Sequence, residues 1–328
     1  MNASATNPTN PTNPTNQSHA PKRAVTILDG GMGRLLERLG APFRLPEWSA
    51  LALIEAPEYV SRAYQAFADS GADIITTNTF GLVPHMLGEA RFHAQAQTLA
   101  DRAGRLARAV ADGAADRRSA SPVRVAGSLP PLFESYRPDK FIAARAPEIL
   151  APLVQGLAPH IDFWLIETQS STAEALTDLA FIRQTNSLPV YISYTLKDEA
   201  GRIGPPELRS GEGVGEAVAA SLAAGADAVL FNCSQPEVMS EAIMAARRVI
   251  DASPTPAAGL GVYANAFLPE PPSDEPYAGI SGIRPDLDPE NYLKWVRRWV
   301  NQGATIVGGC CGIGPEHIAA IRKARLTF

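Results

Sequence analysis

Residues 304–311 read Ala-Thr-Ile-Val-Gly-Gly-Cys-Cys, a short apolar run that ends in two glycines and two thiols. Just upstream, Leu293, Val296 and Val300, with the Trp295/Trp299 pair, recur at three and four residues. That spacing is the stripe of an amphipathic helix. Gly303 separates the two patterns and suits the left-handed position that ends a helix. The run is apolar nearly throughout rather than alternating, as expected of a parallel strand covered on both faces. Helix, glycine stop, buried strand and chemically equipped loop together read as one repeating unit.

The same texture recurs along the chain. Seven earlier runs match the strand: 24–29 (AVTILD), 73–80 (DIITTNTF), 123–128 (VRVAGS), 163–168 (FWLIET), 189–195 (PVYISYT), 228–233 (AVLFNC) and 259–265 (GLGVYAN). Phe92, Ala96, Leu99, Ala103, Leu106 and Val110 form another helical stripe, and Gly71-Ala72 and Gly225-Ala226 repeat the glycine stop. Eight such units predict an α/β fold, a single-domain (β/α)8 TIM barrel over residues 23–328. The rival is an open doubly wound sheet. Its dinucleotide fingerprint is missing, because Leu36 stands where the third glycine should follow Gly31 and Gly33.

Residues 1–22 hold a repeated Asn-Pro-Thr triplet with almost no apolar content, and are expected to be a disordered tail. Over all 328 residues, 45% are apolar and 19% charged, enough for a sizeable core. The net charge of −5 supplies no concentrated basic face for nucleic acid. No apolar stretch is long enough to span a membrane. Three cysteines make no disulfide framework, which points to a reducing, cytoplasmic compartment.

Barrel active sites lie at the C-terminal ends of the strands. Those ends carry Asp29, Asn78, Ser128, Glu167, Thr195, Cys233, Asn265 and the Cys310-Cys311 pair. If strands six and eight flank strand seven, their axes lie about 10 Å apart and the three thiols can meet at one ion. Gly308-Gly309 and Gly312 would permit the bend that aims adjacent cysteines at one point. Three thiolates with an open fourth position suit zinc in a working site. Three buried, inert thiols are the other reading these residues allow. His317 follows Gly314-Pro315 and reads as a first-turn helix residue rather than a fourth ligand. Elbow-serine, zincin and Walker motifs are absent from the sequence, so hydrolase and NTPase readings lack their parts.

These residues resemble the homocysteine S-methyltransferases, a family that includes betaine-dependent enzymes and the homocysteine module of cobalamin-dependent methionine synthase. The resemblance rests on Asp29-Gly30-Gly31-Met32-Gly33, Thr77-Asn78-Thr79-Phe80, Ile166-Glu167-Thr168, Asn232-Cys233 and Gly308-Gly309-Cys310-Cys311-Gly312, in order over residues 24–325. It implies a barrel whose Cys233, Cys310 and Cys311 bind catalytic zinc. It also implies that Glu167 holds the amino group of homocysteine, that Asp29 lies beside the substrate, and that backbone N–H groups of Gly30 and Gly31 meet its carboxylate. Asn78 and Asn232 become orienting residues at the substrate site, and Trp48 a cation–π face for the methyl donor. A free thiol is only about 3% thiolate at pH 7; coordination would gain about thirtyfold, roughly 2 kcal/mol.

Departures from the family pattern cluster where the donor should approach. Gly127-Ser128-Leu129-Pro130-Pro131 replaces Gly-Ser-x-Gly-Pro, Ala264 stands where proline is usual, and Gln169 follows Glu167-Thr168 with no aromatic cluster. The expectation is a cytoplasmic zinc methyltransferase moving a methyl group from S-methylmethionine or S-adenosylmethionine to homocysteine, giving methionine. Betaine or another onium donor, or a different thiol acceptor, is the alternative on the same site. A zinc or thiol sensor is the non-enzymatic one. The expected partners are small-molecule substrates, with neither nucleic acid nor membrane.

Overall fold

The computed structural model describes residues 24–115, 122–199, 201–253, 258–268 and 282–325. The tail expected at 1–22 lies outside the described residues.

Eight strands appear where the apolar runs predict them: β1 (Thr26–Ile27), β2 (Ile74–Thr76), β3 (Arg124–Leu129), β4 (Phe163–Gln169), β5 (Val190–Tyr194), β6 (Ala228–Asn232), β7 (Gly259–Tyr263) and β8 (Ile306–Val307). All neighbours pair in parallel, in the order β1-β8-β7-β6-β5-β4-β3-β2. A parallel bridge between Leu28 and Ile74 joins the two ends of that order, so the sheet closes into a barrel. Helices lie between the strands. Among described residues, no helix is long and apolar enough to cross a membrane.

The helix-to-strand stops behave as read. Gly71, Gly225 and Gly303 have φ of +105°, +92° and +109°, a region in which a Cβ would be strained. The stripe of helix Glu89–Ala115 buries Phe92, Ala96, Leu99, Ala103 and Val110, while Leu106 stays half-buried. In helix Pro289–Asn301, Val296 and Trp299 face the core with Tyr292, and Trp295 stacks on Trp299.

Side chains alternate in and out along each strand. Phe163 and Leu165 fill the barrel interior with Ile74, Ala126, Ala228 and Leu230, while Trp164 and Ile166 pack outward beneath the helices. The same parity carries Thr76, Ser128, Ser193, Asn232 and Tyr263 inward as one polar layer near the C-terminal mouth. Glu167 follows Phe163 and Leu165 on that face.

The first, second and last strands are shorter than their runs. Past Thr77, whose N–H still bonds the Ala126 carbonyl of β3, side chains replace the ladder: the Thr77 hydroxyl accepts from Ser128 N–H and the Thr79 hydroxyl donates to the Ser128 carbonyl. Beyond Val307 the chain alternates between its two neighbours: Gly308 N–H bonds the Val262 carbonyl, Gly309 N–H the Asp29 carbonyl after β1, and Cys310 N–H the Ala264 carbonyl after β7.

A three-thiol cluster at the barrel mouth

The β8-β7-β6 order places strand seven between the cysteine-bearing strands. Cys233 closes β6 with φ +50°, outside the extended range, which turns its side chain toward the β8 loop. In that loop, the glycines before the cysteines act by lacking side chains rather than by a left-handed bend. A Cβ on Gly309 would lie 2.1 Å from Ile313 Cγ2. Only Gly312, after the pair, has positive φ, at +85°.

The three Sγ atoms lie within 4.8 Å of one another. Cys310 Sγ is 2.9 Å from Cys233 Sγ, and Cys233 Sγ is 4.0 Å from Cys311 Sγ. Zinc–sulfur bonds of about 2.3 Å in a tetrahedral site hold sulfurs about 3.8 Å apart, so a sub-ångström shift of Cys310 accommodates an ion. Contact with the other two thiols drives Cys233 well below the ordinary thiol range, and contact with Cys233 in turn drives Cys310 and Cys311 well above it. Among the described residues, no His, Asp or Glu joins this cluster. His317 is indeed a first-turn residue: its Nδ1 accepts from Gly314 N–H at 3.1 Å, and its Nε2 meets the Leu287 carbonyl at 3.0 Å.

Two carboxyl groups are buried beside the cluster. Glu167 Oε1 accepts a short hydrogen bond from Ser128, and Oε2 accepts one from Tyr263 Oη at 3.1 Å. Burial raises its pKa to about 7, with a further push from the Asp29 charge. Asp29 is also raised to about 7 by burial, although Thr76 donates to it through backbone N–H and hydroxyl at 2.6 and 2.9 Å.

The remaining predicted residues hold the frame. Asn78 Nδ2 donates to the Ser49 carbonyl at 3.0 Å, next to Trp48. Trp48 itself is half-buried at φ +52°, with its indole over Gly33, where a Cβ would come within 2.5 Å of Nε1. Gly31 corrects its expected role: its N–H donates to the Ile313 carbonyl at 2.9 Å and is not directed to a ligand. Asn232 is fully buried and bonds Thr168 and Ser193.

Sequence reading assigned no role to Thr76, Ser128 or Tyr263, the donors that grip the two carboxyl groups. Their inward parity was the available signal. Tyr136 was also missed. Its φ is +66°, its hydroxyl reaches the Cys233 carbonyl at 3.5 Å, and the Arg209 guanidinium lies 4.8 Å over its ring. All four described non-glycine residues with positive φ (Trp48, Tyr136, Thr168 and Cys233) thus belong to this mouth, as expected where strain is kept for function.

Fold and site together define a parallel (β/α)8 barrel whose mouth carries three converging thiols beside two buried acids. The chain belongs to the homocysteine S-methyltransferase family, whose sequence model matches residues 26–325. Family membership makes it a methyltransferase. It is 25% identical to a selenocysteine methyltransferase of Astragalus bisulcatus, over 93% of each chain. It is also 25% identical to homocysteine S-methyltransferase 4 of Zea mays, over 91% of this chain and 88% of that one. The metallated form of the Escherichia coli homocysteine methyltransferase MmuM shares the fold, with a TM-score of 0.73 at 22% identity over 92% and 96% of the two chains.

Proposed function

We propose that the protein transfers a methyl group from a sulfonium donor, S-methylmethionine or S-adenosylmethionine, to homocysteine, giving methionine. The observation that carries this reading is the convergence of Cys233, Cys310 and Cys311 from two strands, with no His, Asp or Glu joining them among the described residues. These three residues would hold one zinc ion. Bound zinc would supply the positive charge that keeps an acceptor thiol ionised at neutral pH.

The chain's own groups do the rest. Glu167, aimed inward by Ser128 and Tyr263, receives the acceptor ammonium. Asp29 adds a second negative charge on the same side, and Gly30 offers its backbone N–H to the acceptor carboxylate. Trp48, held at its turn by Asn78, presents its ring to the cationic donor. The acceptor sulfur attacks the donor methyl in line; a new S–C bond forms while the old one breaks, and its electron pair leaves on the donor as a neutral thioether. Low dielectric around the reactants favours this dispersal of charge.

Residues 23–328 form the catalytic domain in this reading, with 1–22 an extension outside it. Three free thiols suit a reducing cytoplasm, and small molecules are the partners. The test is methionine formation by the purified protein from homocysteine with S-methylmethionine, S-adenosylmethionine and betaine. Turnover is expected with a sulfonium donor. Turnover only with betaine, or only with another acceptor such as selenocysteine, would overturn the assignment.

A further inference from the structure

Strand pairing between β4 and β5 slips between Ile166 and Gln169, a bulge directly beneath Glu167. Thr168 sits in it at φ +62°. A bulge leaves a residue without its ladder partner, and here the missing partner comes from another strand. Asn232 Oδ1 accepts the Thr168 N–H at 3.0 Å, and its Nδ2 donates to Thr168 Oγ1 at 2.8 Å. The same Oδ1 accepts from Ser193 Oγ on β5 at 2.7 Å. Asn232 therefore reaches from β6 across β5 to β4 inside the barrel. The next residue in its own chain is Cys233, with its left-handed backbone.

We infer that Asn232 is a positioning residue that fixes the metal-side thiol of Cys233 and the bulge presenting Glu167 as one unit. The inference rests on the proposed roles of those two residues. Both strained positions bear on a group whose aim matters: Thr168 follows Glu167, and Cys233, which follows Asn232, carries the thiol itself. The two near-isosteres of asparagine fit less well. Aspartate matches the shape but places another negative charge among two acids and three thiols. Leucine matches the volume but leaves the Thr168 N–H and Ser193 hydroxyl unpaired in a buried site, which is costly.

The test uses Asn232→Ala and Thr168→Val in the full-length protein. It measures zinc affinity by competition with a chelator, and homocysteine KM and kcat by methyl transfer. For Asn232→Ala, zinc affinity is expected to fall about tenfold, as when a metal ligand loses its orienting partner, and homocysteine KM to rise by a similar factor. Thr168→Val carries the sharper test because it alters β4 and no sulfur. It should still weaken zinc binding, by about threefold, and it tests the link even if Asn232→Ala fails to fold. A lower melting temperature with zinc affinity unchanged in Thr168→Val would overturn the proposal. Failure of the wild-type protein to methylate homocysteine would defeat the acceptor assignment and leave the zinc comparison to decide for or against Asn232.

Discussion

Tyr263 donates its hydroxyl to Glu167 Oε2 at 3.1 Å, from β7 to β4 across the interior of the barrel. With Ser128 on Oε1, both carboxyl oxygens are held, and the group has a fixed aim although it is buried. Tyr263→Phe removes one donor from this carboxylate. Homocysteine KM is expected to rise about tenfold, the size of one hydrogen bond to a charged group (about 1.5 kcal/mol). Steady-state kinetics check this. A variant that lowers kcat at constant KM would instead assign Tyr263 to the transfer step.

The paired acids also set a pH dependence. Burial raises both Glu167 and Asp29 to about 7. Below that pH the chamber holds protons and meets an ammonium group poorly; above it the carboxylates ionise and attract the cation. Methionine carries the same ammonium without a free thiol, so its binding isolates this effect. Calorimetric titration should show its affinity rising through pH 7 and levelling above, with the rise reduced in Glu167→Gln. A flat profile in the wild-type protein would contradict the assignment.

The fold and the cluster were largely legible in the sequence, while their supports were not. Runs ending at Cys233 and Cys311 announced two thiol-bearing strand ends, and Gly71, Gly225 and Gly303 marked the helix stops. Closing the sheet then required Cys233 and Cys310 to face one mouth. That reading places Ser128 at a strand end without naming its partner and passes over Tyr263, because a serine or tyrosine in an apolar strand signals a partner only once parity and neighbours are known. The Thr168 bulge was equally hidden. It arises from an offset between strands that no local residue pattern encodes.

Asp178 provides a stability prediction away from the mouth. It is 1% exposed, and neither carboxyl oxygen has a hydrogen-bond partner in the structure. Burial, then the nearby Glu174 charge, drives its pKa well above 3.8. An acid raised in the folded state stabilises most below its unfolded pKa and loses that contribution as pH climbs through the folded one. Asp178→Asn should therefore raise the melting temperature by about 2–4 °C at pH 8, and leave it nearly unchanged at pH 4. Thermal scans at the two pH values decide the matter; an equal shift at both would remove the titration from the explanation.

Trp48 is expected to act on the donor alone. Replacing its ring with Trp48→Leu should raise the KM for the sulfonium donor about five- to thirtyfold, within the range of cation–π contacts at partly desolvated sites. Homocysteine KM and zinc content should not change. Asn78→Ala, which frees the Ser49 carbonyl beside it, should produce a weaker version of the same pattern. If both KM values rise together in Trp48→Leu, the ring shapes the whole mouth rather than the donor pocket.

The central claim concerns sulfur around zinc, and X-ray absorption at the zinc edge addresses it directly. The zinc-loaded protein should show one ion per chain with three sulfur neighbours near 2.3 Å, rising to four when homocysteine is added. Two or fewer protein sulfurs, or a count that homocysteine leaves unchanged, would contradict the account.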